Sequence, residues 1–324
     1  MKIVFFDADR AMRDYFKDKN FPDAAVDFVT GPADPSAQGA AEASIISVFV
    51  NSKLDAGILS KFPNLKFIAA RSTGINHIDA EYAREHNIKI TNVNGYGEFA
   101  VSEFAMGLLL CLLRKIIPAY NDMVAGDIEM GKYIGRDIHG KTIGVFGTGT
   151  IGSRFARLAH AFGANVIAHD RGGNPEIADI VEFVDLETLY KKSDIIALNI
   201  PANAANYHII NAAAIAKMKP GVVLLNVARG ELIDSLALFE ALVAGHVGGV
   251  AQDVLELESA MNLAAGVDSL SRDQMEIVMY NERMLRMDNV IFTPHTAFNS
   301  AEANMRILEM TYRNILDFLK RADA

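Results

Sequence analysis

The chain has 324 residues, 51% hydrophobic and 22% charged, enough apolar material for one large core or two smaller ones, and two domains are expected. Its formal net charge of −9 argues against a nucleic-acid partner, because affinity for a phosphate backbone rests on clustered Lys and Arg. A single cysteine, Cys111, excludes an internal disulfide, an early acid at Asp7 interrupts any signal-peptide core, and Leu108 to Leu113 is too short to span a bilayer, so a cytoplasmic protein away from membranes is expected.

From the N-terminus, short β-branched and aromatic runs (Ile3–Asp7, Ala25–Val29, Ile45–Val50, Phe67–Ala70, Ile88–Val93) alternate with helix-compatible segments, which predicts a parallel sheet with crossover helices. Ala100 to Tyr120 is apolar almost all round, as in a helix buried on every side. A second alternation follows, with strands predicted at Thr142–Gly147, Asn165–Asp170, Ile195–Ile200, Val222–Val227, Val247–Val254 and Val290–Thr293, and a helix at Ile151–Phe162. The last segment puts Met305, Leu308, Tyr312, Ile315 and Leu319 on one helical face, the pattern of a helix that returns to cover the first domain. The fold class is therefore α/β, with two doubly wound parallel-sheet domains.

Gly147-Thr148-Gly149-Thr150-Ile151-Gly152 joins an apolar strand to an amphipathic helix. In that context Gly147 permits a tight turn, Gly149 lets backbone approach a pyrophosphate, and Gly152 lets helix pack on strand. Asp170 ends the next strand, where a carboxylate accepts hydrogen bonds from an adenosine ribose and repels a 2′-phosphate, so NAD is predicted over NADP, although Arg171 leaves room for NADP. Glycines in such a turn can also serve chain reversal alone.

Ligands of open α/β sheets bind beyond the carboxyl ends of the strands. Polar residues at those ends are Arg229, Asp253 with Glu258, and His295. A guanidinium grips a carboxylate bidentately and polarises a carbonyl, an imidazole moves a proton near neutrality, and a neighbouring carboxylate favours the imidazolium. Together these are the needs of 2-keto acid reduction. Singly, each residue has a plainer alternative: a loop cap for Arg229, a solvated helix residue for Glu258, a satisfied loop histidine for His295. No His, Cys and Asp cluster shows metal-ligand spacing, so no metal is expected.

These stretches, with Arg71-Ser-Thr-Gly74-Ile-Asn-His-Ile-Asp79, Asn226-Val-Ala-Arg229-Gly230, Asp253-Val-Leu-Glu-Leu-Glu258 and Pro294-His295-Thr-Ala, resemble the D-2-hydroxyacid dehydrogenase family over nearly the whole chain. The resemblance implies a flavodoxin-like substrate domain over 1–99 and 296–324 and a Rossmann NAD-binding domain over 100–295. It implies Arg229, Glu258 and His295 as the catalytic set, with Gly147, Gly149, Thr150, Ile151, Gly152, Asp170, Ile200, Pro201, Asn206, Val227, Ala228 and Asp253 along the dinucleotide. Thr73 and Gly74 would hold the substrate carboxylate through their backbone, beside Arg229 and His295, with Tyr96 and Phe298 at the substrate side chain. Asn92-Val93-Asn94-Gly95-Tyr96 and the long segment between Glu258 and His295 look most like the D-lactate branch. Asn76, Phe298 and Gly97-Glu98-Phe99 depart from the family pattern, and all border the substrate side chain.

Pyruvate reduction to D-lactate is thus the first expectation. The same reaction on phenylpyruvate or 2-ketoisocaproate is the alternative, and a non-catalytic NADH-sensing binding protein of this fold is another. A homodimer is expected, since burial between subunits leaves the same all-round apolar helix.

Overall fold

The computed structural model describes residues 1–37, 39–127, 129–261 and 270–322. It divides into two compact units, Met1–Tyr96 with Ser300–Ala324, and Gly97–Asn299.

In the first unit, β1 (Lys2–Phe5), β2 (Ala25–Phe28), β3 (Ile45–Val48), β4 (Phe67–Ala70) and β5 (Lys89–Thr91) form an all-parallel sheet in the order β2-β1-β3-β4-β5, the flavodoxin-like winding. β3 and β4 are buried along their whole length, which is why they read as continuous apolar runs. Alternate residues serve two cores. Val4, Ile46, Val48 and Ile68 pack with Leu54, Leu59 and Phe62, while Ile3, Phe5, Ile45 and Phe67 pack with Phe16 and the helix Ala301–Ala322. That helix buries Leu308, Ile315 and Leu319 as its pattern predicts, and Phe318 stacks on Phe67 with ring centroids 4.4 Å apart. Met305 is the exception: it sits in the first turns and is exposed.

In the second unit, β6 (Thr142–Phe146), β7 (Asn165–His169), β8 (Val181–Phe183), β9 (Ile195–Leu198), β10 (Val222–Asn226), β11 (Val247–Gln252) and β12 (Val290–Phe292) are all parallel, in the order β12-β11-β10-β9-β6-β7-β8. This is the Rossmann order extended by one strand, with the winding reversing between β6 and β9. The helix Glu98–Leu113 lies against the helix Thr150–Ala161 and the sheet, with Leu109 wholly enclosed and Cys111 packed at the edge of the same core.

One sequence expectation is corrected here, and one strand was not foreseen. The single helix Ala100–Tyr120 is two helices, Glu98–Leu113 and Ile116–Ala125, separated where Lys115 takes a left-handed φ of 52°. Pro118 supplies the reason, since it lacks the N–H that would bond to the carbonyl of residue 114, and its ring would strike that carbonyl. The edge strand β8, three residues long with two exposed, carries too little apolar pattern to be read from sequence. Residues 262–269, part of the long segment between Glu258 and His295, lie outside the described residues.

Candidate active site

The glycine turn after β6 is built from contacts no other residue allows. Gly147 has φ of 93°, and a Cβ there would stand 2.6 Å from Ile200 Cγ2 and 2.8 Å from the Asn199 carbonyl oxygen. A Cβ at Gly152 would stand 2.0 Å from the Gly147 carbonyl oxygen. Gly149 differs: its missing Cβ faces open space, and it caps the helix Thr150–Ala161 without any side-chain hydrogen bond. The first-turn N–H groups, those of Thr150 and Ile151 among them, keep their positive potential for an anion.

An open cavity of about 560 Å³ lies beside this turn, lined by Thr148, Gly149, Thr150, Arg154, Arg157 and Asn174 among others. Among the described residues the buried Asn199 side-chain oxygen meets no hydrogen-bond donor, as a polar atom kept for a ligand would. Asp170 accepts the Thr148 N–H at 2.8 Å and the Gly172 N–H at 3.0 Å. Burial works to raise its pKa, but these backbone bonds outweigh it and hold the carboxyl below the usual range, ionised and ready for a ribose diol. Arg171 beside it is exposed. An uncapped helix start, open space at Gly149 and an ionised acid after β7 fit a dinucleotide.

The other predicted cofactor residues fall around this turn with differing freedom. Ile200 abuts Gly147 directly, and Val227 and Ala228 are half-buried against the two cores of the unit. Asn206 closes its own loop, donating to the Pro201 carbonyl at 2.6 Å and accepting from the Asn203 N–H at 2.7 Å. Asn174 was not foreseen: its side chain donates to the Thr148 carbonyl at 2.8 Å and fixes the turn from outside, and nothing in the sequence around it signals this.

The candidate reacting groups stand after β10, β11 and β12. Buried Asn226 ends β10, donates to the Arg229 carbonyl at 2.8 Å and accepts the Ala228 N–H at 3.0 Å, so it shapes the turn that presents the Arg229 side chain. Nδ1 of His295 lies 2.7 Å from Oε1 of Glu258. The Glu258 hydrogen bond raises the His295 pKa, against burial and Arg229, which lower it, and with help from the Asp253 charge. Burial works to raise the pKa of Glu258 in turn, yet the His295 bond and charge, with Arg229, bring it below the ordinary carboxylate range.

Asp253 is almost wholly buried, and its carboxylate accepts from Thr293 Oγ1 at 2.6 Å, Thr296 N at 2.9 Å and Ala297 N at 2.7 Å. These bonds bracket His295, whose φ of 53° is a left-handed conformation rare for a side-chain-bearing residue. Sequence placed Asp253 along the dinucleotide. The geometry makes it first the anchor of the histidine loop.

In the first unit, the loop after β4 carries Thr73 and Gly74. Ser72 Oγ donates to the Gly74 carbonyl at 2.7 Å, Thr73 Oγ1 to the Val93 carbonyl at 3.0 Å, and Asn92 Nδ2 to the Thr73 carbonyl at 2.7 Å. The loop is thus held by its carbonyls, and among the described residues its Thr73 and Gly74 N–H groups meet no protein acceptor. Tyr96 closes this unit, its carbonyl accepting from Arg306 Nε at 2.8 Å. Phe298 is half-buried in the second unit, near Gly97. Among the described residues there is no group of His, Cys, Asp and Glu that could hold a metal ion, and no helix is long and apolar enough to cross a membrane.

A doubly wound dinucleotide-binding unit that presents an arginine and a carboxylate-paired histidine beyond its strand ends has the parts of an NAD-dependent dehydrogenase. The comparisons give the family. Residues 106–297 match the model of the D-isomer specific 2-hydroxyacid dehydrogenase NAD binding domain. The chain is 39% identical to a hydroxypyruvate reductase of Thermotoga maritima over 266 residues, covering 82% of this chain and 81% of that protein. It is 36% identical to an aromatic 2-oxoacid reductase of Clostridium sporogenes over 276 residues, 84% and 82% of the two chains. A D-lactate dehydrogenase of Aquifex aeolicus, solved with NAD and lactic acid, superposes with a TM-score of 0.85 at 30% identity, over 98% of this chain and 95% of that one. The chain belongs to the D-isomer specific 2-hydroxyacid dehydrogenases, NAD-dependent oxidoreductases acting on CH–OH.

Proposed function

We propose that this protein reduces pyruvate to D-lactate, and that the His295–Glu258 pair beside Arg229 carries the reaction. NADH, when bound, supplies the hydride to C2 of the 2-keto acid. Arg229 binds the substrate carboxylate and polarises the keto group, which a guanidinium does with two parallel N–H donors. His295 gives its proton to the developing alkoxide through Nε2, because Nδ1 is engaged by Glu258. Glu258 holds the ring in orientation and keeps it protonated. In the oxidative direction His295 takes the proton back.

Thr73 and Gly74 supply backbone N–H donors for the carboxylate, and Tyr96 and Phe298 bound the substrate side chain. Gly147, Gly149, Thr150, Ile151 and Gly152 receive the pyrophosphate, Asp170 the adenosine ribose, and Ile200, Pro201, Asn206, Val227, Ala228 and Asp253 the remainder of NAD. The run Asn92 to Tyr96, of D-lactate type, and the likeness to the Aquifex enzyme support pyruvate. A bulkier 2-keto acid is the second reading, favoured by the likeness to an aromatic 2-oxoacid reductase. Both readings keep the same acid, base and arginine.

Absorbance of NADH against pyruvate, phenylpyruvate, 2-ketoisocaproate, hydroxypyruvate and glyoxylate tests this directly. Fastest turnover on pyruvate with a D product is the expected result. Preference for phenylpyruvate transfers the assignment to the second reading, and tight NADH binding with no turnover on any of the five ends the enzymatic one.

We further place the enzyme in the cytoplasm as a homodimer. Ile116, Ile117, Tyr120, Met123 and Val124 on the helix Ile116–Ala125 are each at least 40% exposed, an apolar surface suited to a second copy. A monomer on sizing chromatography with light scattering would overturn the dimer.

A further inference from the structure

Apart from the candidate reacting groups, the second unit holds a cluster of polar and titratable side chains gathered around a buried carboxylate. Its centre is Glu256, only 5% exposed. Oε1 accepts from His208 Nε2 at 2.7 Å and from the Tyr207 hydroxyl at 3.0 Å, and Oε2 accepts from Ser235 Oγ at 2.9 Å and Ser235 N at 3.4 Å. Asp234 lies 3.9 Å from the other ring nitrogen of His208, and the Tyr207 and His208 rings stack with centroids 3.9 Å apart. Burying a carboxylate among so many partners is costly unless every one of them is kept.

The location of the cluster gives it a consequence. Glu256 and Glu258 lie on one turn, closed by the Glu258 N–H to the Leu255 carbonyl at 3.2 Å, with Leu257 between them at a left-handed φ of 55°. Glu256 points inward while Glu258 meets His295. The main chain of the same turn is gripped twice more. Buried Asn281, on the helix Arg272–Met284, donates to the Glu256 carbonyl at 2.9 Å, and Gly230, next to Arg229, sits so close that a Cβ there would be 2.1 Å from the Leu255 carbonyl carbon.

We propose that Glu256, held by His208, Tyr207 and Ser235, is a positioning residue that fixes the 255–258 turn against the Arg229–Gly230 segment and so sets Glu258 in hydrogen-bonding register with His295. The inference rests on the acid–base role proposed above for that pair. It assigns the cluster no contact with substrate. Only Leu257 separates the inward and outward carboxylates, so a rotation of the turn that loosens Glu256 also withdraws Glu258 from the ring.

The groups that act on His295 are Glu258, Asp253 and Arg229. Removing a partner of Glu256 leaves all three in the chain, and any change in His295 must come through position. His208→Leu and Ser235→Ala each take one partner, and Tyr207→Phe removes a single hydroxyl from a half-exposed residue and retains the fold. The measurement is the titration midpoint of His295, followed by its imidazole resonances in the full-length protein and assigned by its loss in His295→Ala.

The midpoint is expected to fall toward that of a free imidazole in His208→Leu and Ser235→Ala, and in the same direction but less in Tyr207→Phe. With pyruvate or the preferred 2-keto acid, kcat falls about tenfold while the KM for NADH holds. A scaffolding role alone would lower thermal stability and leave the midpoint where it is. An unchanged midpoint in Tyr207→Phe and in whichever of the other variants folds overturns the proposal. Because the titration needs no turnover, a wild-type protein inactive on every 2-keto acid would refute the assigned reaction and still leave the positioning role decided.

Discussion

The ring of His295 and the carboxylate of Glu258 meet through Nδ1 and Oε1 at 2.7 Å, in a loop that buried Asp253 holds from behind with three hydrogen bonds. That pairing leaves Nε2 as the nitrogen for the proposed proton transfer and fixes the sign of the pH dependence. Glu258 raises the histidine pKa, so the protonated form needed for reduction persists to higher pH than for an isolated imidazole, and reductive kcat/KM falls only above the raised value. Glu258→Gln is expected to move that falling limb to lower pH and to cut kcat about 10- to 100-fold. A pH profile from 5 to 9 (roughly the range in which histidine titrates) checks both, and an unmoved limb would count against the pairing.

His295→Ala removes the proposed proton donor and leaves the nucleotide turn intact. Turnover should drop by about 10²- to 10⁴-fold while NADH binding, read by fluorescence, stays within about twofold.

Arg229→Lys keeps the charge and loses the fork. An ammonium cannot make two parallel bonds to a carboxylate, so KM for the 2-keto acid should rise and kcat/KM fall about 100-fold. Equal kinetics for the two proteins would remove Arg229 from the substrate.

On the proposed role of Asp170, Asp170→Ala should relax the preference for NAD over NADP, since it removes a carboxylate placed to repel a 2′-phosphate. The same change frees the Thr148 and Gly172 N–H groups, so the KM for NADH should also rise. An unaltered ratio of kcat/KM for the two cofactors would show that selectivity resides elsewhere.

Arg71 concerns stability. Its guanidinium, 2% exposed at the end of β4, donates from Nη1 to Ser47 Oγ at 2.9 Å and from Nη2 to the Phe6 carbonyl at 2.6 Å, and burial has pushed its pKa down to about 10 against the pull of Asp7 and Asp9. Arg71→Leu strands acceptors at the ends of β1 and β3 and should cost about 2–4 kcal/mol, measured by denaturant unfolding.

How far the sequence alone reaches depends on what each feature needs. β3, β4, β9 and β10 are buried on both faces, so their apolar runs are visible without knowledge of neighbours. The glycine turn is legible because its backbone demands recur in order: Gly147 and Gly152 are enforced by contacts under 3 Å. Arg229, Glu258 and His295 stand out as candidates because strand ends are where such sheets work, and the structure shows the Glu258–His295 pairing. β8 and the break at Lys115 were illegible, one for want of pattern, the other because Ile116, Ile117 and Pro118 looked like a continuation of the apolar run. Asn174 and Glu256 act by bonding across distant stretches of chain, and single-residue spacing holds no trace of that.

The opposed facing of Glu256 and Glu258 also limits how this chain can change length. A single insertion or deletion between Asp253 and Glu258 would pull at least one of the two carboxylates from its place, either the one paired with His295 or the one that three side chains clasp. An engineer grafting a different loop next to this turn should therefore leave the spacing from Asp253 to Glu258 intact and cut beyond Glu258.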